Sequence, residues 1–272
     1  MRILFGGLFL LFLDLPRNGL RILRGPWPWK ATLGSAAGMG FYQVFFFAAL
    51  LKTGVAVGTM ITIGSAPIIA GILGKVLFHE QIERKWYLAT ILAVSGCVLL
   101  AWPSGEIGIE LPGVLLALGA GSSWAMSGSC MKMLPDTRSS LEKAGMILLL
   151  GSLIISPVFL LRDLSWFLSF RGVLVVSHLS LMATALPYVL FALGIVRIKV
   201  STAYTLTLSE PLTASCLGIF LLGEELTGPV LAGILLIFAG LVILSMKTKQ
   251  ADSLSRPGKG NLQSQGSGGP DI

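Results

Sequence analysis

The sequence predicts an all-α fold, a polytopic membrane helix bundle of two inverted repeats with about nine transmembrane helices. Three observations predict it. Of 272 residues, 54% are hydrophobic and only 12% charged, with a mean hydropathy of +0.84, whereas soluble domains carry about 25% charged residues. The apolar residues fall in blocks of roughly twenty, the length at which a helix rising 1.5 Å per residue crosses ~30 Å of hydrocarbon, and period-2 barrel strands do not fit. The chain also resembles itself when slid by 144 residues.

Taken in order, the spans cover about 1–15, 32–51, 54–78, 86–102, 113–133, 144–161, 172–195, 200–222 and 228–246. Arg17, Arg21, Arg24 and Lys30 follow the first, and Lys52 alone separates the second from the third. Lys75, Arg84 and Lys85 mark the next break, and the loop between the fourth and fifth spans has no basic residue. Lys132, Arg138 and Lys143 come after the fifth, Arg162 and Arg171 after the sixth, and Arg197 and Lys199 after the seventh. Lys247, Lys249, Arg256 and Lys259 follow the ninth. Alternate breaks thus divide the basic residues sixteen against four, with Arg2 in the minority. Basic residues are retained on the cytoplasmic side of short loops. The expected location is therefore the cell (inner) membrane, multi-pass, with the C-terminus and the loop at 16–30 cytoplasmic and the loops at 103–112 and 223–227 outside. Residues 247–272, rich in Ser, Gly, Gln and Pro, read as a disordered cytoplasmic tail.

The internal repeat aligns 31–100 with 175–244 without a gap, at thirteen identities, seven of them between Ser65 and Glu80. There SAPIIAGILGKVLFHE lies over SEPLTASCLGIFLLGE, pairing Pro67 with Pro211, Gly74 with Gly218 and Glu80 with Glu224. The Pro67 span is the third and the Pro211 span the eighth, an odd offset of five, so the two copies run in opposite directions, an architecture that gives secondary transporters their two alternating states. The helix at 113–133 has no counterpart in the first half.

These residues resemble the EamA-type drug/metabolite transporter superfamily, whose members carry two repeats of five helices. The resemblance covers 1–246; its most specific parts are the two proline-to-glycine-to-glutamate helices and the GSSWAMSG at 121–128, which is similar to the opening helix of a repeat. It implies a first repeat over 1–102 and a second over 113–246. The departure is the family's first helix: either the chain is a nine-span variant, or its start was placed too far downstream, and the first span looks clipped. The resemblance implies an exporter or exchanger of a small metabolite, working by alternating access through a cavity between the halves. The alternative is a non-transporting membrane subunit or scaffold that keeps the fold.

Glu210 is the residue that most needs a reason, because a carboxylate at a helix centre costs about 2.5–3.5 kcal/mol on insertion scales. Two readings stand: it lines a polar cavity, or it is a structural group bonded to a neighbouring helix. Thr207 shares its face by helical spacing, and Pro211 should bend the helix beside it. Pro67 occupies the paired position, so both prolines are candidate hinges, although a kink in a packed helix needs no transport role. Tyr42, Gln43 and Phe46, with Met39, put an amide and aromatic rings on one face of the second span, a plausible cavity wall or a helix contact. Trp124 and Tyr188 have polar tips that want partners away from lipid. Glu80 and Glu224 lie near span ends, beside water and the dipole of the next helix N-terminus, where capping or packing is expected. Gly34 with Gly38, and Gly54 with Gly58, have the spacing that lets helices approach closely, in a compact bundle or at a homodimer face.

Enzymatic readings find no support. HEQIE at 79–83 begins like a zincin helix but lacks the second histidine, and the only other histidine is His178. No catalytic residue, metal site or cofactor is expected. The three cysteines read as small hydrophobes, and the basic residues report topology rather than nucleic-acid binding. The expected partners are the lipid bilayer and a small-molecule solute, its movement driven by its own gradient or coupled to protons or another ion.

Overall fold

A computed structural model describes residues 1–19, 27–100, 110–160, 169–223 and 225–246. The expected tail at 247–272, Glu224 and most of the loop at 103–112 lie outside the described residues. The helices in chain order are α1 (Arg2–Asn18), α2 (Trp29–Thr53), α3 (Val55–Phe78), α4 (Arg84–Leu100), α5 (Leu111–Lys132), α6 (Ser140–Ile154, extended by Ser156–Leu160), α7 (Phe170–Ile195), α8 (Val200–Leu222) and α9 (Gly228–Ser245). Among the described residues there is no strand.

By length and apolarity, α2, α3, α5, α7, α8 and α9 can each cross a membrane. The other three are shorter than these six or interrupted. Helices α1 and α4 have 17 residues, about 26 Å at 1.5 Å per residue. Helix α6 is interrupted at Ile155. The outward face of the bundle carries large apolar side chains, among them Phe12, Leu51, Phe220 and Leu221, each at least 70% exposed. That surface suits lipid and not water.

Helix α5 sits against both α2 and α3, α4 pairs with α9, and α1 pairs with α6. Small residues make the closest approaches. A Cβ on Gly38 would lie 2.6 Å from the Ser123 carbonyl oxygen, and one on Gly34 would lie 3.0 Å from Cys130 Sγ. Their spacing therefore serves contact within the bundle. Gly54 instead ends α2 with φ +76°, a backbone turn open to glycine. The α4–α9 pair closes in the same way at Gly96 and Gly240, where an added Cβ would meet the carbonyl oxygens of Gly233 and Ala89 at 2.6 Å.

Helices α3 and α8, which carry Pro67 and Pro211, pack against each other through the first half of α8. They differ in shape. Helix α8 is broken at Thr207–Leu208, where Leu208 N–H donates to Thr205 O and Glu210 N–H to Thr207 O in tight three-residue turns. The bend expected beside Pro211 is present, and the Thr207 hydroxyl donates to Tyr204 O at 2.7 Å. Helix α3 runs unbroken through the buried Pro67. A second irregularity went unforeseen: Leu181–Ala185 of α7 forms one wide π turn just before Pro187, and the Thr184 hydroxyl fills it by donating to Leu179 O at 2.8 Å. Such turns are frequent at functional sites.

Candidate functional site

Where the two irregular helices meet, α7 and α8 face α2 and α5 across a cavity of about 330 Å³, walled by Met39, Tyr42, Trp124, Tyr188, Thr207 and Glu210, with Arg2, Ala183, Thr184, Pro187, Phe191 and Ser209 completing the lining. Residues of both repeats therefore contribute. The rings are mutually braced: Tyr42 is 6.0 Å from Trp124, and Trp124 stands edge-on to Tyr204 at 5.1 Å. Tyr204 is fully buried; its hydroxyl donates to Trp124 O and accepts from Gly128 N–H, fixing α8 to α5. The Tyr188 hydroxyl lies 3.0 Å from Ser127 Oγ, and Ser127 and Ser35 each donate to the other's carbonyl oxygen. The polar tip of Tyr188 has thus found its partner on α5.

Of the residues expected from sequence, Tyr42, Trp124, Tyr188, Thr207 and Glu210 come together in this cavity. Phe46 does not reach the lining; it stacks behind Tyr42 at 5.5 Å. Gln43 turns the other way, into an adjoining cavity of about 490 Å³ bounded by Val44, Phe47, Ile155, Val176 and Leu179. Arg2 borders both cavities, and its Nη2 donates to Gln43 Oε1 at 3.1 Å. By charge distribution alone Arg2 reads as an outer loop residue; its place at the first turn of an apolar helix is the signal that it is more.

Glu210 accepts no hydrogen bond and forms no ion pair among the described residues, and it is exposed at the cavity mouth instead of being bonded to a neighbouring helix. A proline-interrupted helix beside it leaves the carboxylate at a bend. An unpaired carboxylate within a helix long and apolar enough to cross a membrane is tolerable only against water or a cationic group.

One end of the bundle is tied by a second polar cluster. The Glu80 carboxylate, 6% exposed, accepts from Val200 N–H at 2.7 Å, Ser201 N–H at 3.4 Å and Ser201 Oγ at 3.1 Å, and pairs with Lys132 Nζ at 3.2 Å. Lys132 also donates to Ile198 O at 2.6 Å. Glu80 therefore caps a helix, but the cap serves α8 of the other repeat and not the helix that follows it in sequence. Gly74 leaves room for the carboxylate, and His79, in the left-handed conformation, ends α3 ahead of it.

The model of the EamA-like transporter family matches residues 1–102 and 111–246. The chain belongs to that family. It is similar to the uncharacterized transporter YwfM of Bacillus subtilis (strain 168), with 38% identity over 259 residues, 93% of this chain and 87% of that protein. It is also similar to a probable amino-acid metabolite efflux pump of Salmonella typhimurium (strain LT2), at 28% identity over 79% of this chain and 76% of the pump. A solved structure shares the fold, with a TM-score of 0.76 at 19% identity, covering 94% of this chain and 87% of the other. This EamA-family chain is a multi-pass membrane protein of a transporter family, and both matched segments contribute walls to the cavity.

Proposed function

We propose that this EamA-family protein is a secondary transporter of the cell (inner) membrane, its C-terminus cytoplasmic, that exports or exchanges a small metabolite by alternating access between two inverted repeats. The observation that carries the reading is the unpaired Glu210 carboxylate on a cavity of about 330 Å³ lined from both repeats. In a membrane interior an ionisable group so placed marks a solute or ion path, and discontinuous helices at a repeat interface form such sites. Tyr42, Trp124 and Tyr188 supply apolar faces for an organic solute, Thr207 a polar one, and Gln43 with Arg2 extends the site into the adjoining space. Phe46 supports Tyr42 from behind. The break at Thr207–Leu208 makes Pro211 the hinge that could let the lower part of α8 move, with Pro67 as its partner on α3. The Glu80–Lys132 cluster would hold the cytoplasmic end shut in this state. The efflux activity named for the Salmonella relative supports outward transport.

The test is Glu210→Gln, which keeps shape and removes charge. In vesicles loaded with candidate solutes, the variant should reach the membrane at normal levels and lose tenfold or more of its transport rate. An unchanged rate and pH dependence would make Glu210 structural, whereas no transport of any loaded solute by the unaltered protein would make the scaffold reading the better one.

A further inference from the structure

Helix α4 pairs with α9, and between α3 and α4 the bundle leaves a groove. Its apolar part holds about 470 Å³ between Ile68 and Ile72 of α3 and Ile91 and Val94 of α4. Ile68, Ile72 and Ile91 are exposed, so the groove opens on the outer surface of the bundle. Its floor is rigid: a Cβ on Gly71 would lie 2.5 Å from Trp86 Cη2, so the indole rests directly on the α3 backbone, and Trp86 Nε1 donates to Ser201 O at 3.1 Å. Lys75, Ile82 and Tyr87 border this groove and also a polar pocket of about 340 Å³, completed by His79, Glu80 and Gln81. The two spaces are therefore continuous. Along α4 the apolar part runs from Tyr87 to Ser95, about 12 Å at 1.5 Å per residue. That is within half of the ~30 Å of hydrocarbon, the share of one leaflet.

Charge at the polar end is unbalanced. The Glu80 carboxylate is turned inward to Lys132, Val200 and Ser201, and Glu83 pairs with Lys85 at 3.3 Å and with Lys199 at 3.4 Å. Lys75 is exposed and has no ion pair or hydrogen bond among the described residues. A lysine stem lies along apolar surface while its ammonium stays at the headgroup level, and basic pockets between transmembrane helices take anionic headgroups. Independently of what the central cavity carries, we propose that this groove binds an anionic phospholipid of the leaflet at this end, the cytoplasmic one in the topology above. One acyl chain lies over Gly71 and Trp86 between Ile72 and Ile91, and the phosphate accepts from Lys75 Nζ. A zwitterionic lipid brings its own cation to the same place and gains less.

Photo-cross-linking to the purified full-length chain in lipid nanodiscs tests this, with phosphatidylglycerol carrying a diazirine midway along one acyl chain and phosphatidylcholine carrying the same group. Peptides spanning residues 68–72 and 91–95 should be labelled about fivefold more by phosphatidylglycerol, the worth of one basic side chain near the membrane surface. Lys75→Gln should bring the two lipids level, and Lys75→Arg should keep the preference. Arg197→Gln removes a base beside Ile198 that borders neither space, and should leave the preference in place. Ser95→Phe, which fills the far end of the groove, should lower labelling by both lipids. Unchanged melting temperatures would show that these variants fold. Glycerol 3-phosphate, which has the headgroup's charge and no chain, should not compete. Four results overturn the proposal: equal labelling of the unaltered chain by both lipids, a preference that survives Lys75→Gln, displacement by glycerol 3-phosphate, or a protein-to-protein cross-link at Ile72 without lipid label, the mark of a second copy in the groove.

Discussion

Gly38 shows how little space separates α2 from α5. A methyl group there would sit 2.6 Å from Ser123 O and 2.8 Å from Ser127 N, both backbone atoms that cannot swing aside. Gly38→Ala should therefore push the helices apart and cost about 1–3 kcal/mol, read as a lower melting temperature of the purified protein. Gly194, whose Cβ would meet nothing within 4 Å, is the control, and Gly194→Ala should leave melting unchanged or raise it slightly. At this scale the sequence marked Glu210, Tyr42, Trp124, Tyr188 and Thr207 because polar or aromatic groups in apolar spans stand out. It did not separate Phe46 from Gln43, because side chains a helical turn apart share a face, whereas their directions depend on what the neighbouring helices offer. Arg2 was missed because a charged residue beside a span end looks like topology.

At the scale of elements, the break in α8 follows from chemistry visible in the sequence: Pro211 has no N–H to offer Thr207 O, and the carbonyl is taken by Glu210 N–H at 2.9 Å. Pro67 occupies the matched position, yet α3 stays helical, so proline alone does not decide the break. The Glu80 cap gives a prediction at this scale. Glu80→Ala removes three acceptor contacts from the start of α8 and leaves the partly buried Lys132 with Ile198 O alone, and buried donors left without their acceptor cost about 1–3 kcal/mol. The variant should melt markedly lower. If the cluster holds the cytoplasmic end, cysteines placed at Ser201 should also become more reactive to thiol reagents in the Glu80→Gln variant, where shape is kept. Lack of both effects would reduce the cluster to a surface contact.

For the whole molecule, the structure gathers at one end the loop at 79–83, Lys132, Ile198, Val200 and Ser201, and at the other joins Lys52 to Glu110 at 2.9 Å. These are groupings that alternating the breaks across a membrane requires. A cysteine at Thr227 should accordingly be labelled by an impermeant thiol reagent on whole cells, and one at the exposed Asp136 only after permeabilisation; the opposite pattern inverts the topology. The two halves are not equally covered. Helices α2 and α3 have 39% and 44% of their apolar windows buried, largely beneath α5, whereas their repeat counterparts α7 and α8 have 22% each. This is the side on which Ser209 and Glu210 are exposed.

Composition and block length alone determined that the chain is a membrane bundle, because hydrocarbon dictates both the apolarity and the length of what crosses it. The repeat and the proline–glycine–glutamate helices determined the family, and the carboxylate inside an apolar span pointed to the candidate site. What Glu80 caps, which way Gln43 points, that α7 carries a wide turn, and that Arg2 shares a cavity boundary with Glu210 were decided only by tertiary structure. Each depends on residues more than forty positions apart being brought to one contact or one cavity, or on backbone distortion that packing permits, and local sequence carries no record of either.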